Sequence, residues 1–507
     1  MRRVGIDVGG TNTDAVLIAE GKVVRAVKRP TSEDVTAGIL AALGALAPEP
    51  PIDAVMIGTT HFINAAIQRK HLTKVAAIRF GMPASASLPP FCDWPADFAR
   101  LVNGGVFMLE GGHDYDGRPI MPFDAEGCRN AARRIRDLGL SAVAVSSIFA
   151  PLDPACETQA AAILKEECPD VAVTLSHRLG RIGLLERENA GLLNAALVDL
   201  ARKTIAAFEQ AIADSGIDAP LYLTQNDGTV MRAEMAAAYP VYSFSSGATN
   251  SMRGAAYLSG LNDAMVVDVG GTSSDVGELR HGFPREANNV VEVAGVRTLF
   301  RMPDLVSIGL GGGSHVDNGG ATVGPLSVGY RLTEEALVFG GKRLTATDVA
   351  VAAGLLRLGD GTRVAGLSKA MVGRAIARSH AMLDETVDRM KTDAAAVPLI
   401  AVGGGAFLVP DGMPGISEVV RVRHGDCANA VGAAIAQVSG EIDQVFQGLA
   451  REAALARGAE LATERAVAAG ADPVTVKTVE VEDIPIAYLP GNALRVRVRT
   501  VGDIAAQ

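Results

Sequence analysis

Two octapeptides carry most of the chemistry that can be read from this sequence. Asp7-Val-Gly-Gly-Thr-Asn-Thr-Asp14 recurs as Asp268-Val-Gly-Gly-Thr-Ser-Ser-Asp275, identical at six of eight positions. Each copy follows a short apolar strand, Val4–Ile6 and Met265–Val267. A strand that delivers Asp-x-Gly-Gly-Thr into a tight hairpin gathers backbone N–H groups around the turn, and glycine lets a bulky anion come close. Gly9, Gly10, Gly270 and Gly271 supply that approach, and Asn12 completes the first turn. Thr11, Thr13, Thr272, Ser273 and Ser274 add hydroxyl donors for phosphate oxygens. A carboxylate cannot face phosphate without repulsion. Asp7 and Asp268 therefore make sense if they hold Mg²⁺, usually through its waters, or orient an attacking group. Two such turns facing each other would grip the β- and γ-phosphates of ATP from opposite sides. Phosphoryl transfer needs mainly that positioning and charge neutralisation. A pair of plain tight turns with left-handed glycine would leave the matched acids and hydroxyls unexplained. Asp14 and Asp275 either cap the turns or serve the site.

A third glycine cluster, Gly403-Gly404-Gly405, ends a buried strand over Pro398–Val402. A strand ending this way lets a flat ring lie against backbone, which suits adenine and ribose; it also suits a structural turn. Gly309-Leu-Gly-Gly-Gly-Ser314 reads as a ligand loop or a flexible one. Thr59, Thr60, His61 and Asn64 follow the strand Ala54–Ile57, at the end of an α/β sheet where ligands bind. A buried His and a helix N-cap from Thr60 would explain the same residues. Asn226 and Asp227 follow a strand over Pro220–Thr224 and either face substrate or make an Asn-Asp-Gly turn. Asp348 precedes an apolar helix and reads as its cap. Gly340-Gly341-Lys342 lacks the upstream glycine of a P-loop, and no HExxH or GxSxG segment is present.

The elements that must position these residues are α/β. Strands are expected over Val4–Val8, Ala15–Ile18, Val23–Lys28 and Ala54–Ile57, with helices over Val35–Leu46 and Phe62–Arg69 after a polar lead-in at Thr31–Asp34. Residues 81–124, rich in Pro, Gly and aromatics and holding Trp94, are expected to form an irregular insertion. Helix Ala125–Leu138 and strand Ala142–Ser146 resume the pattern. The repeat is far too long for a solenoid, so two copies of one α/β domain explain it. The expected division is 1–190 and 191–440 for the two lobes and 441–507 for a small C-terminal α+β unit, with a helix over Glu441–Ala469 and strands over Val474–Val501.

Composition narrows the field. The 507 residues are 48% apolar but only 4% aromatic, so the cores should be aliphatic. A net charge of −10 offers no basic face for nucleic acid. Five scattered cysteines without a CxxC pair argue against disulfides or structural zinc and fit a reducing cytoplasm. The start reads as strand rather than signal peptide. No apolar run reaches the ~20 residues that span a bilayer, so a soluble cytoplasmic protein is expected.

These segments resemble the actin, Hsp70 and sugar-kinase superfold, and within it the A-type subunit of the hydantoinase/oxoprolinase family. Gly5-Ile-Asp-Val-Gly-Gly-Thr-Asn-Thr-Asp14 resembles the family's opening, and Gly58-Thr-Thr-His-Phe-Ile-Asn-Ala65 its GTT-x-x-x-NA segment. Ser246-Gly247-Ala248, the second octapeptide, Gly311-Gly-Gly-Ser314, Val323-Gly-Pro325 and Thr345-x-Thr-Asp348 complete the series in order over residues 1–440. His61 stands where an apolar residue is more usual, and Val328-Gly-Tyr-Arg331 replaces the family's Pro-Gly-Pro-x-Cys-Tyr stretch. A short tail stands in place of a long C-terminal domain. The resemblance implies two ribonuclease-H-like lobes with a nucleotide cleft between them. It implies ATP-dependent opening of a cyclic amide (hydantoin, 5-oxoproline or another lactam) through phosphorylation of the amide oxygen. Gly403–Gly405 become adenosine contacts, and a B-type subunit and an oligomeric assembly are implied. A small-molecule kinase and an ATP-driven switch of Hsp70 or reactivase type share the superfold.

Overall fold

The computed structural model describes residues 1–9, 12–30, 35–180, 182–287, 291–487 and 491–505. Gly10, Thr11 and the lead-in Thr31–Asp34 lie outside the described residues.

The first lobe opens with β1 (Arg2–Val8), β2 (Asn12–Ala19), β3 (Lys22–Pro30), a helix over Val35–Leu46, β4 (Ala54–Thr59) and a helix over His61–Gln68. Every expected element of this stretch is present. β1 and β4 are buried on both faces and read as continuous apolar runs, as parallel neighbours should.

Residues 81–124 depart from the irregular insertion expected of them. β5 (Val75–Met82), β6 (Asn103–Glu110), β7 (Ala142–Ser147) and β8 (Ala172–Leu175) form a parallel sheet in the order β6-β5-β7-β8. A helix over Ala96–Val102 leads into β6. The Asn-Gly-Gly that opens β6 reads locally as a loop, but pairing with β5 across the intervening helix makes it strand. Trp94 is buried there, its indole N–H donating to Asn189 Oδ1 at 2.7 Å.

The expected boundary at residue 190 falls inside one helix, Leu184–Asp214, whose N-terminal half is buried all round. β9 (Leu221–Thr224) and β10 (Thr229–Arg232) then return to the first sheet, with β9 parallel to β4. A central helix, Ser246–Ser259, leads into the second lobe. There β11 (Ala264–Val269) and β12 (Ser274–Arg280) form the second hairpin. An excursion carries β13 (Phe283–Pro284), β14 (Val291–Val293), β15 (Val296–Thr298), β16 (Leu305–Ile308), β17 (Ser314–Asp317) and β18 (Thr322–Ser327). β19 (Val397–Val402) and β20 (Ile416–Arg421) follow. The order β2-β1-β4-β9 of the first lobe recurs as β12-β11-β19-β20, with one antiparallel and two parallel pairings each time. One domain is built twice.

A second central helix, Ala428–Ile435, closes the second lobe but packs on β1, β2 and β4 of the first. The C-terminal segment is α+β, yet it does not stand apart. β21 (Gln437–Phe446), β22 (Lys477–Pro485) and β23 (Leu494–Gly502) extend the first lobe's sheet to nine strands, ordered β22-β23-β21-β10-β9-β4-β1-β2-β3. The expected helix over Glu441–Ala469 begins only at Arg451. Residues up to Phe446 are strand, because Ile442 buries its side chain and the backbone pairs with β23. Among the described residues no helix is long and apolar enough to cross a membrane.

The two central helices cross at glycine. A Cβ on Gly254 would stand 2.0 Å from the Ala428 carbonyl oxygen, and one on Gly432 would stand 1.8 Å from that of Asn250. Gly5 makes the matching approach from β1, where a Cβ would lie 2.1 Å from the Ala430 oxygen. Any side chain at these points would force backbone apart, so the lobes meet through bare glycine.

Candidate nucleotide and metal site

The described residues of the two octapeptides pair in the same register. Asp7 lies opposite Asp14 and Val8 opposite Thr13, as Asp268 lies opposite Asp275 and Val269 opposite Ser274. Gly9 N–H donates to the Asn12 carbonyl at 3.0 Å, and Gly270 N–H to that of Ser273 at 2.9 Å. Thr13 and Ser274 are buried at the turn bases, whereas Thr272 and Ser273 are exposed at the second tip.

The acids at the bases crowd together. Burial, reinforced by Asp14, pushes the Asp7 carboxyl up to about 7; Asp268 adds to the rise, and a hydrogen bond from Asn429 opposes it. Asp268 is pushed up to about 6, again chiefly by burial, with Asp275 adding to it. The Ser251 hydroxyl lies beside Asp268 and offsets part of that rise, although its geometry falls short of a formed hydrogen bond. Asp7 therefore feels Asp268 from the other lobe, so the bases of the two hairpins lie within electrostatic reach of each other. Lys28 Nζ is 2.8 Å from Asp14 Oδ2 and 2.9 Å from the Asp426 carbonyl. Asp275 is held by the Ser307 hydroxyl instead.

Do these residues fit a divalent cation? Asp14 is paired with Lys28 and Asp275 with Ser307, which leaves Asp7 and Asp268, each raised mainly by burial and so favoured in the charged form by an added cation. Gly58 and Gly403 keep space open beside the two acids. A Cβ on Gly58 would lie 2.9 Å from Asp7 Oδ1, and one on Gly403 2.2 Å from Asp268 Oδ1. Asp14 Oδ1 and Asn250 Oδ1 are buried without a partner. Among the described residues no group of three or more His, Cys, Asp or Glu is placed to hold a metal ion. One or two carboxylates plus substrate phosphates is how Mg²⁺ is usually held, so the donor set fits.

The glycine clusters of the second lobe pack around its hairpin. Gly312 N–H donates to the Gly270 carbonyl at 3.0 Å and Gly313 N–H to that of Gly271 at 2.7 Å. The stretch from Leu310 to Ser314 is buried, which rules out the flexible loop. Gly405 N–H donates to the Val269 carbonyl at 2.7 Å, while Gly404 is exposed, with no atom near where a Cβ would stand. Gly403 has a φ of +85°, which favours glycine.

The remaining candidates divide. Thr59 is buried and accepts from the His61 N–H at 3.1 Å. Thr60 occupies the N-cap position of His61–Gln68 without a side-chain cap bond, and its hydroxyl accepts from Asn64 Nδ2 at 3.2 Å. This helix start touches that of Ser246–Ser259, where the Ser246 hydroxyl donates to the Thr59 carbonyl at 3.3 Å. Burial, with a further contribution from His71, holds His61 below its ordinary value, so its imidazole is neutral at pH 7. Asn226 and Asp227 are occupied internally. Asn226 accepts from Ser245 N–H at 2.7 Å and donates to Val241 at 3.0 Å. Asp227 accepts from Thr229 and Arg499, which outweigh its burial and keep its carboxyl below the ordinary range. Asp348 is a helix cap, completing a capping box with Thr345.

Sequence reasoning missed Asn429, Lys28, Asn250 and Ser251. No local motif marks them. Asn429 is a long way along the chain from Asp7, and only the crossing of the central helices brings it there.

Known proteins share the family and the fold. The model of the hydantoinase/oxoprolinase N-terminal region matches residues 3–168, and that of hydantoinase/oxoprolinase matches residues 187–383. Caprolactamase subunit alpha of Pseudomonas jessenii is 27% identical over 388 residues, covering 70% of this chain and 54% of that subunit. Acetophenone carboxylase gamma subunit of Aromatoleum aromaticum is 27% identical over 391 residues, covering 70% and 53%. The chain thus spans little more than half the length of these relatives. The crystal structure of the ATP-dependent caprolactamase from Pseudomonas jessenii shares the fold, with a TM-score of 0.75 at 20% identity over 99% of this chain and 88% of that one. Nucleotide-free acetone carboxylase shares it with a TM-score of 0.70 at 17% identity over 100% and 89%. The chain belongs to the hydantoinase/oxoprolinase family.

Proposed function

We propose that this chain is the ATP-binding subunit of an enzyme that opens a cyclic amide, working with a B-type hydantoinase subunit. The observation that carries the reading is the pair of matched hairpins, whose acids sense one another across the central helices. Support comes from relatives named as an ATP-dependent caprolactamase and as subunits, alpha and gamma, of larger enzymes.

In this reading the turns Gly9–Thr13 and Gly270–Ser273 hold the phosphates, and Gly403–Gly405 lie against the nucleoside. Asp7 and Asp268 would hold Mg²⁺, which supplies charge neutralisation on the phosphates. The amide oxygen attacks the γ-phosphorus as its bond to the β-phosphate oxygen breaks, releasing ADP and leaving an activated carbon. Water attacks that carbon and the ring C–N bond breaks with a proton going to nitrogen, leaving an acyl phosphate; a second water cleaves it to the open-chain acid and phosphate. Thr59, Thr60, His61 and Asn64 line the start of two helices at the end of β4, suited to orienting the amide. The neutral His61 ring can accept a proton there.

The test is a coupled assay of ADP release with a panel of hydantoins, 5-oxoproline and lactams, with and without the B-type subunit. We expect cyclic-amide-dependent ADP and phosphate in equal amounts, together with the open-chain acid. Phosphate retained on a stable product would mean a small-molecule kinase. Turnover stimulated only by a protein, with no amide dependence, would mean an ATP-driven switch; either result contradicts the proposal.

A further inference from the structure

Asp7 meets a side chain that no motif announces. Asn429 Nδ2 donates to Asp7 Oδ2 at 3.2 Å from the first turn of the second central helix. That helix is set against β1 by bare backbone, through Gly5 and the Ala430 carbonyl, and against the first central helix through Gly432 and Gly254. The reach of Asn429 is thus fixed by rigid elements rather than by a loop.

The short segment before it is tied to both lobes. The Gly425 carbonyl accepts from Gly403 N–H at 2.9 Å, and the Asp426 carbonyl accepts from Lys28 Nζ at 2.9 Å. A turn of the second lobe, a cation of the first and the acid Asp7 all meet within residues 425–429. Beside Asp268, by contrast, stands the Ser251 hydroxyl, which falls short of bonding.

We propose that Asn429 is a positioning residue: its amide fixes the orientation in which Asp7 meets a divalent cation, and its segment ties that orientation to the Gly403 turn. The inference rests on the nucleotide-and-cation reading above. A carboxylate with one oxygen held by an amide presents the other in a set direction. Removing such a supporting bond weakens metal binding by roughly 10–100-fold in comparable sites.

Mn²⁺ titration of the full chain in the presence of ADP, followed by electron paramagnetic resonance, tests this. The variants are Asn429→Ala and Asn429→Ser, at a half-exposed position where a short side chain leaves no buried cavity. We expect Mn²⁺ affinity at least about 10-fold weaker in Asn429→Ala, a smaller loss in Asn429→Ser, which keeps a hydroxyl donor, and unchanged ADP affinity in EDTA. The Mg²⁺ needed for half-maximal ATP turnover should rise while KM for ATP at saturating metal stays put. Mn²⁺ affinity within twofold of the natural protein in both variants would overturn the proposal. An equal loss of ADP affinity in EDTA would also overturn it, because it would reveal a merely structural role. Failure of the natural protein to bind Mn²⁺ with ADP would instead remove the underlying reading of the site.

Discussion

Asp268→Asn should lower ATP turnover by on the order of 10³-fold or more while making the protein without nucleotide or metal more stable at pH 8. The two effects share one cause. Asp268 is held near 6 mainly by burial, so ionising it in the folded chain costs on the order of 3 kcal/mol. A pKa raised on folding gives stability that is complete below the unfolded value and lost as pH rises through the folded one. The natural protein should therefore lose stability between about pH 4 and pH 7, and the variant should lose less, because Asp7 still titrates but position 268 no longer does. Thermal melts at pH 4 and pH 8 check this: the variant melts several degrees higher at pH 8, and the gap closes at pH 4. Added MgADP should stabilise the natural protein and leave the variant unmoved. A variant that keeps its turnover, or that melts lower at pH 8, contradicts the role given to this acid.

The second large effect lies far from the hairpins. Arg79, within β5, and Glu188, in the helix Leu184–Asp214, form a pair with no exposure on the arginine and 3% on the glutamate side chain. Arg79 Nε donates to Glu188 Oε2 at 2.7 Å and Nη2 to Oε1 at 2.5 Å, while the Ser146 hydroxyl donates to Oε2 at 2.6 Å. The remaining Arg79 nitrogen reaches the Leu88 carbonyl. Glu188→Ala leaves a buried guanidinium without its counter-charge and should cost about 3–5 kcal/mol. Trp94 is the only tryptophan and bonds the neighbouring residue Asn189, so its fluorescence reports urea unfolding of this region. Replacing both partners, Arg79→Met with Glu188→Leu, should lose much less than the single change, because no charge is then stranded. A double variant as weak as Glu188→Ala would show that the loss comes from packing rather than charge.

What could be read in advance was local. The octapeptides, the strands on either side of them and the helix Val35–Leu46 follow from patterns within a dozen residues, and they appear where those patterns put them. The parallel sheet around β5 could not be read that way. β6 begins in Asn-Gly-Gly and gains its strand character from β5, across the helix Ala96–Val102. The C-terminal strands were obscured differently. Alternation over Gln437–Phe446 runs into an Ala-rich helix, and only pairing with β23 separates the two. Asn429 and Lys28 gain their roles from helix crossing and strand register, which leave no mark in sequence spacing. Conversely, Asn226 and Asp227 looked available beside a strand end, and the fold spends their polar atoms on Ser245, Thr229 and Arg499.

A crystal structure with Mg²⁺ and a non-hydrolysable ATP analogue tests the account most directly. The triphosphate should lie between the first turn, ending at Thr13, and the second, ending at Ser273, with the cation on the side of Asp7 and Asp268 and the adenosine against Gly404. A nucleotide bound to one lobe alone, or away from both turns, would contradict it.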